Sequence, residues 1–438
     1  MKHKKYIRLA LVFVLFSFIK INAQESKTLT LNEAIELGIK NSKQLKLSQA
    51  KIDEAVASTK QAAEARLPEA SISGSYLRLT KPNVNLKGFG SDSSGGFTSP
   101  TISQALYGSA NVSLPIYAGS KIKYGIESAK YLEQATRLDA EHDKEAVTLN
   151  IIAAYINLYK ASASAKVVEE NLEQSRLRDS NFASLERNGL LARNDMLRAQ
   201  LQTSNFELAL VDAQNSIQLA TVNMNILLGL PESTKLAVDS ASIARPVELQ
   251  SIEAYEASAD TGRNDVQALD YRSKAADAAI KIAKGDYYPS LALTGGYVAA
   301  HVPKLLTITN AVTFGLGVKY DIGSLWKTKS KVQQAEARAE QLEISRDIMT
   351  DNIHLAINQA YQTYLTDIKK IEVNNKAVLQ ANENYRISKN KYDNSLLLLT
   401  DLLDANVEQL RANLDLEVSK ADAALDYYTL QQTAGLLK

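Results

Sequence analysis

A mainly helical chain with a minority of strands, built twice from one helix–strand–strand–helix unit, is predicted by three observations. First, the stretch Lys391–Asn406, KYDNSLLLLTDLLDAN, has a diverged copy in Glu186–Gln200, ERNGLLARNDMLRAQ. Asn188 matches Asn394, Gly189 matches Ser395, Leu190 and Leu191 match Leu396 and Leu397, and Asp195 and Ala199 match Asp401 and Ala405. Second, Leu67-Pro68-Glu69-Ala70-Ser71 and Tyr288-Pro289-Ser290-Leu291 each precede a strand-like run, and Pro115–Ser120 corresponds to Lys319–Ser324. Third, long segments of helical periodicity flank both copies. Self-similarity over so long a separation marks a duplicated structural unit.

The N-terminus stands apart from that unit. Lys2, Lys4, Lys5 and Arg8 precede the apolar run Leu9–Ile19, and Ile21-Asn22-Ala23 ends in a small residue. This is the pattern of a secretory signal peptide, with cleavage expected after Ala23. The apolar core is too short to span a bilayer, which disfavours an anchor. Residues 1–23 hold five basic side chains and no acidic one, so the +1 of the whole chain becomes −4 for the mature one, with 45 basic and 49 acidic residues. That balance gives no case for nucleic-acid binding. Cysteine is absent, so an exported chain of this kind must be held by its core or by assembly.

Leu31–Leu67 reads as the first helix, with Thr30 and Glu33 forming a capping box and Pro68 ending the run. Ser71–Leu79 alternates: Ile72, Gly74 and Tyr76 oppose Ser71, Ser73 and Ser75. Ala110, Val112, Leu114 and Ile116 oppose Ser109, Asn111 and Ser113. In the second half, Leu291, Leu293 and Tyr297 oppose Ser290, Ala292 and Thr294. Val312, Phe314, Leu316, Val318 and Tyr320 oppose Thr313, Gly315, Gly317 and Lys319. Period-two alternation marks strands with one apolar and one polar face. A Gly/Ser/Asn/Pro-rich loop, Lys81–Gln104, separates the first two strands, and a shorter one, about Ala300–Asn310, separates the second two.

Helices then dominate. Ser120–Arg187 and Leu325–Asp393 are candidate helices of roughly 70 residues, hence about 100 Å each. Leu31–Leu67 and Asn194–Leu228 stacked end to end match that length, which predicts a two-column coiled arm. Met196, Ala199, Thr203, Phe206, Leu210, Ala213, Ile217, Ala220, Met224 and Leu227 step by three and four. Ile371, Val378, Tyr385, Tyr392 and Leu399 recur as a heptad, the spacing of a coiled-coil seam. The division is 1–23 signal peptide; 24–230 first repeat, with a hairpin at about 70–117 and a turn at 188–194; 231–263 linker; and 264–438 second repeat, with a hairpin at about 290–322 and a turn at 394–400.

Two antiparallel strands return both flanking helices to one side of the hairpin. Four strands with an apolar face are too few to close a membrane barrel, and a lone copy exposes sheet edges. Several protomers sharing one barrel resolve this. Trp326, Tyr124, Tyr287 and Tyr288 fall just beyond the strand ends, where they suit an aromatic belt at the membrane boundary or a plug for the strand–helix junction.

In this layout, in its Leu-Pro and Tyr-Pro-Ser junctions, in Pro-Ile-Tyr-Ala-Gly-Ser and in its two turn motifs, the chain resembles the TolC-type outer membrane efflux proteins, the outer membrane factor family. The resemblance covers nearly the whole mature chain. It implies a homotrimer with a shared 12-stranded β-barrel in outer-membrane lipid and a long coiled-coil α-helical tunnel in the periplasm. It also implies export of drugs, metals or proteins with a periplasmic adaptor and an inner-membrane transporter. Asp401 and Asp404 correspond to aspartates lining the periplasmic entrance in family members, and Tyr392 to a tyrosine that helps hold it closed. Where some members carry an arginine four residues before the first aspartate, this chain has Leu397. The plainer reading of Thr400 and Asp401 is that they start a helix.

The apolar turns give a further expectation, since Leu190, Leu191 and Leu396–Leu399 are unusual at a helical tip. Gly189, Leu190, Ser395 and Leu396 are candidates for contact with the adaptor; the alternative is that the leucines pack inward and hold the tip shut. Four scattered histidines, no metal-ligand spacing and no phosphate loop or nucleophile elbow leave no candidate cofactor or catalytic centre. The competing reading is a trimeric coiled-coil surface spacer or adhesin without transport activity.

Overall fold

The computed structural model describes residues 27–80, 103–239, 247–303 and 306–437. The expected signal peptide, all but the end of the long loop between the first strands, and residues 240–246 of the linker lie outside them. In chain order the elements are strand β1 (Lys27–Leu29), helices α1 (Leu31–Asn41) and α2 (Lys43–Glu64), and strands β2 (Glu69–Arg78) and β3 (Gln104–Ala118). Helices α3 (Lys121–Arg187) and α4 (Arg193–Leu228) follow, then β4 (Leu236–Val238), α5 (Ile252–Gly262) and α6 (Asn264–Lys284). A single 3-10 turn, Gly285–Tyr287, leads into β5 (Ser290–Val302) and β6 (Leu306–Lys319), and helices α7 (Ser324–Asp393) and α8 (Leu399–Thr433) finish the chain. Two compact units result, one of Gln49–Asp139 with Asp265–Met349, the other of the remaining segments.

The first unit carries a four-stranded antiparallel sheet in the order β2-β3-β5-β6. Its register aligns the apolar positions of all four strands. Ala70, Val112, Gly295 and Phe314 form one row, and Ile72, Ala110, Tyr297 and Val312 the next. Leu114, Leu293 and Leu316 continue the face. Among the described residues nothing covers it: Ile72 is 89% and Phe314 90% exposed. The opposite face is polar, with Ser73 and Ser109 hydroxyls 2.8 Å apart and the Asn111 amide donating to Ser109 at 3.3 Å. Among the described residues, both edge strands, β2 and β6, are unpaired on their outer sides.

Several local expectations need correction. Leu31–Leu67 is not one helix; it breaks at Ser42, whose hydroxyl accepts from the Leu45 N–H at 3.2 Å and caps α2. The break is held from outside, because the Asn41 amide donates to the Leu228 carbonyl at the end of α4 at 2.6 Å. Helix α2 stops at Glu64, ahead of Pro68. The capping box at Thr30 forms as read, Glu33 N–H to Thr30 Oγ1 at 3.3 Å and Thr30 N–H to Glu33 Oε2 at 3.0 Å. Much of the presumed loop Ala300–Asn310 is strand, because pairing continues through Val302 and Leu306. Tyr320 falls outside β6, and a register shift between Pro115 and Tyr117 interrupts the alternation at Ile116.

The second unit packs helices around Ile151, Ile152, Tyr155, Leu158, Met224 and Leu228. The Tyr155 hydroxyl, fully buried, donates to the Leu29 carbonyl at 2.8 Å and accepts from the Asp239 N–H at 3.1 Å. It thereby pins the parallel pair β1–β4, which sequence periodicity did not reveal. Along α4 the seam is real: Met196, Ala199, Thr203, Phe206, Ala220 and Met224 are buried. Among the described residues no helix is long and apolar enough to cross a membrane.

Candidate functional site

The two duplicated turns lie in the same unit and are built alike. Helix α3 ends with Gly189 at φ 70° and helix α7 with Ser395 at φ 59°. In the first, Leu190 N–H reaches Leu185 O and Gly189 N–H reaches Glu186 O, both at 2.9 Å. In the second, Leu396 N–H reaches Lys391 O at 2.8 Å and Ser395 N–H reaches Tyr392 O at 2.9 Å. This is the Schellman closure, in which a left-handed residue turns the chain and satisfies the last helical carbonyls. The preceding asparagines also repeat: Asn188 Nδ2 donates to Ser184 O at 2.9 Å and Asn394 Nδ2 to Asn390 O at 2.7 Å.

The leucines divide between the two roles considered for them. Leu399 is buried with Phe182, Met196, Leu402 and Leu403, and Leu191 packs partly against that cluster. Leu190, Leu396 and Leu398 face outward, the first two 74% and 75% exposed. Leu191 and Leu397, with the exposed Leu190 and Leu398 at its rim, line a cleft of about 820 Å³ between the turns. Clustered exposed leucines at a turn are a surface a partner can cover.

Tyr392 packs its ring 5.5 Å from that of Phe182. Burial raises the Tyr392 phenol above the ordinary range, and the carboxylates of Asp195 and Asp393 raise it further. The phenol therefore stays protonated, a donor facing acidic side chains. Asp195 is the first-repeat counterpart of Asp401, and its approach to Tyr392 was not legible from spacing.

Asp401 and Asp404 are exposed on α8, while Leu402, Leu403, Ala405 and Asn406 face inward. Spacing of three keeps both aspartates on one face, and Glu408, overlooked in the sequence, continues it one turn on. Thr400 and Asp401 do start a helix, as the plainer reading has it, but neither caps it. The cap position is Leu398, no side chain caps it, and Asp401 sits in the first turn instead, where the helix dipole favours an acid. Behind this face, the buried Arg178 guanidinium donates to Asn406 Oδ1 at 3.1 Å and Ser175 Oγ at 2.8 Å, tying α3 to α8.

In the sheet unit, Trp326 and Tyr288 are exposed, whereas Tyr124 and Tyr287 are half-buried. The Tyr124 ring lies under two ammonium groups, Lys123 at 5.5 Å and Lys281 at 5.1 Å. No group of side chains with metal-ligand character occurs among the described residues.

Comparison with known proteins agrees with this architecture. The model of the family "Outer membrane efflux protein" matches residues 34–230 and 257–436. Outer membrane efflux protein BepC of Brucella suis biovar 1 (strain 1330) is 25% identical over 258 residues, 56% of this chain and 54% of that protein; the chain spans about half the length of that curated relative. The outer-membrane channel OprN superposes with a TM-score of 0.77 at 17% identity, covering 92% of this chain and 89% of its own. VceC of Vibrio cholerae gives 0.75 at 20%, covering 92% and 96%, and CusC gives 0.77 at 17%, covering 96% of each. At such identities the structures establish the fold. With the family model matched along both repeats, this chain belongs to the outer membrane efflux protein family.

Proposed function

We propose that the chain is one protomer of a homotrimeric exit duct in the outer membrane, through which substrates handed over by an inner-membrane transporter and a periplasmic adaptor leave the cell. The observation that carries this is the sheet: four strands, one apolar face on which Ile72, Val312, Phe314 and Leu316 are exposed, and two edges with no partner among the described residues. Unsatisfied edges are not tolerated in lipid, and three copies joined edge to edge give a closed barrel with lipid outside and the polar face lining the lumen. Trp326 and Tyr288 suit its boundary with water. Cross-linking in detergent should trap trimers, and the purified protein should form conducting pores in planar bilayers. Monomers alone would refute the shared barrel; trimers without conductance would favour the surface spacer.

At the helical turns, Asp401 and Asp404 are proposed to line the periplasmic constriction, with Tyr392 holding it closed. Acidic rings select for cations, so replacing both aspartates by asparagine should shift the reversal potential toward zero and weaken block by polycations. Unchanged values leave only the helix-dipole role. Gly189, Leu190, Ser395 and Leu396 are proposed to meet the adaptor. Single cysteines there, introduced into a chain that has none, should cross-link to the adaptor in cells. Export that survives polar replacement of Leu190 and Leu396 together would sink the docking assignment.

A further inference from the structure

Five of the helices start with an acid in the first turn: Glu33 in α1, Asp195 in α4, Glu253 in α5, Asp265 in α6 and Asp401 in α8. The two long helices that leave the sheet do the opposite. Neither α3 nor α7 has an acid there, nor does α2; Lys121 and Lys123 stand in the first turn of α3, and Lys327, Lys329 and Lys331 follow within the first two turns of α7. Cations near a helix N-terminus are disfavoured by its dipole. Lys281 and Lys284, from the end of α6, add to the same junction.

Within the protomer only part of this charge is answered. Asp286 takes Lys121 at 2.9 Å and Lys331 at 2.7 Å, and Glu336 lies 3.6 Å from Lys284. The two lysines drive the Asp286 carboxyl below the ordinary range, through hydrogen bonds first. Lys123, Lys281, Lys327 and Lys329 are exposed and have no carboxylate partner among the described residues; Lys123 and Lys281 lie over the Tyr124 ring, which leaves their charge unneutralised. Beside them stand the outward-facing Trp326 and Tyr288, and the strands beginning at Ser290 and ending at Lys319 present the open apolar face. Apolar sheet, aromatic rings and ammonium groups without a carboxylate partner thus succeed one another along the chain.

We propose that this strand–helix junction binds anionic phospholipid headgroups of the leaflet around the sheet's base. The inference rests on the membrane-barrel reading above. A phosphodiester supplies the negative charge that the two lysine-bearing helix starts lack, the lysine stems lie along the apolar boundary with their heads in the polar layer, and the rings sit at headgroup depth. A basic side chain near an anionic membrane surface strengthens binding about fivefold.

The test uses the purified full-length protein in detergent, with native mass spectrometry reporting retained phosphatidylglycerol against phosphatidylcholine. Wild type should hold phosphatidylglycerol at least about tenfold more strongly. The variant K123Q/K281Q/K327Q/K329Q should lose that preference, and the four corresponding Lys→Arg changes should keep it. Trimer mass and bilayer conductance should be the same in all three. Equal retention of the two lipids by wild type, or an unchanged preference in the glutamine variant, overturns the proposal. So does full displacement by millimolar inorganic phosphate, which reassigns the lysines to a free anion. Conducting trimers without lipid preference sink this inference alone, whereas absence of both trimers and conductance sinks the duct reading with it.

Discussion

Gly119→Ala should remove most of the folded protein from the outer membrane. Gly119 follows β3 with φ 62°, and a Cβ there would lie 2.2 Å from the carbonyl oxygen of Gly285. Both partners are backbone, so no rotamer relieves the clash. A Cβ on Gly285 would in turn meet the Gly119 oxygen at 2.7 Å and the Lys121 stem at 2.5 Å. The left-handed backbone and the overpacking together are expected to cost about 2–5 kcal/mol. Gly125→Ala is the control, because its Cβ meets nothing within 4 Å inside α3, and there the exchange should gain about 1 kcal/mol. Thermal unfolding in detergent compares the two. Equal midpoints for G119A and G125A would show that the close approach of these segments does not hold the junction.

Stability of the helical unit should fall as pH rises from about 4 to 7 and level off above, and Asp426→Asn should flatten that fall. Asp426 on α8 faces Asp367 on α7, whose side chain is buried and bonded by Lys370 Nζ at 2.6 Å. One turn earlier Asp422 takes Lys160 at 2.9 Å, and the rings of Tyr364, Tyr427 and Tyr428 pack nearby in tilted and edge-on contacts. Burial, then the hydrogen bond and charge of Asp367, then the charge of Asp422, push Asp426 up to about 7, with Lys370 opposing. Burial works to raise Asp367, but the hydrogen bonds from Asp426 and Lys370 outweigh it, and the carboxyl stays below the ordinary carboxylate range. For a carboxyl raised from 3.8 in the unfolded chain, the folded state binds the extra proton. Its stabilisation is full below about 4 and lost as pH climbs through about 7, at up to about 1.4 kcal/mol per pH unit. Melting of wild type and D426N across this range checks it. The same slope in both proteins would exclude Asp426 as the group responsible.

The duplication was legible because both copies must solve the same backbone problem. A helix that reverses needs a left-handed residue and a satisfied last turn, so Gly189 with Leu190 and Ser395 with Leu396 keep their places though the side chains have diverged. The strands were legible because one face is apolar and the other polar; the alternation survives in the register from Ala70 to Phe314. The break at Ser42 was not, since nothing in Leu31–Leu67 forbids a continuous helix. It is set by Asn41 reaching a carbonyl that is remote in sequence. Strands β1 and β4 are three residues each, too short for a periodic signal, and exist because Tyr155 gathers both.

By itself, then, the sequence determined the repeat, the alternating strands, the helical seams and the positions of the turns, all of which follow from local backbone geometry and the period of apolar residues. Tertiary structure alone decided which leucines turn inward, that Asp195 faces Tyr392, that Asp426 is buried against Asp367, and that lysines from three helices converge where the sheet ends. Those pairings join residues far apart in the chain, and their energies come from burial and charge at distances that only packing creates.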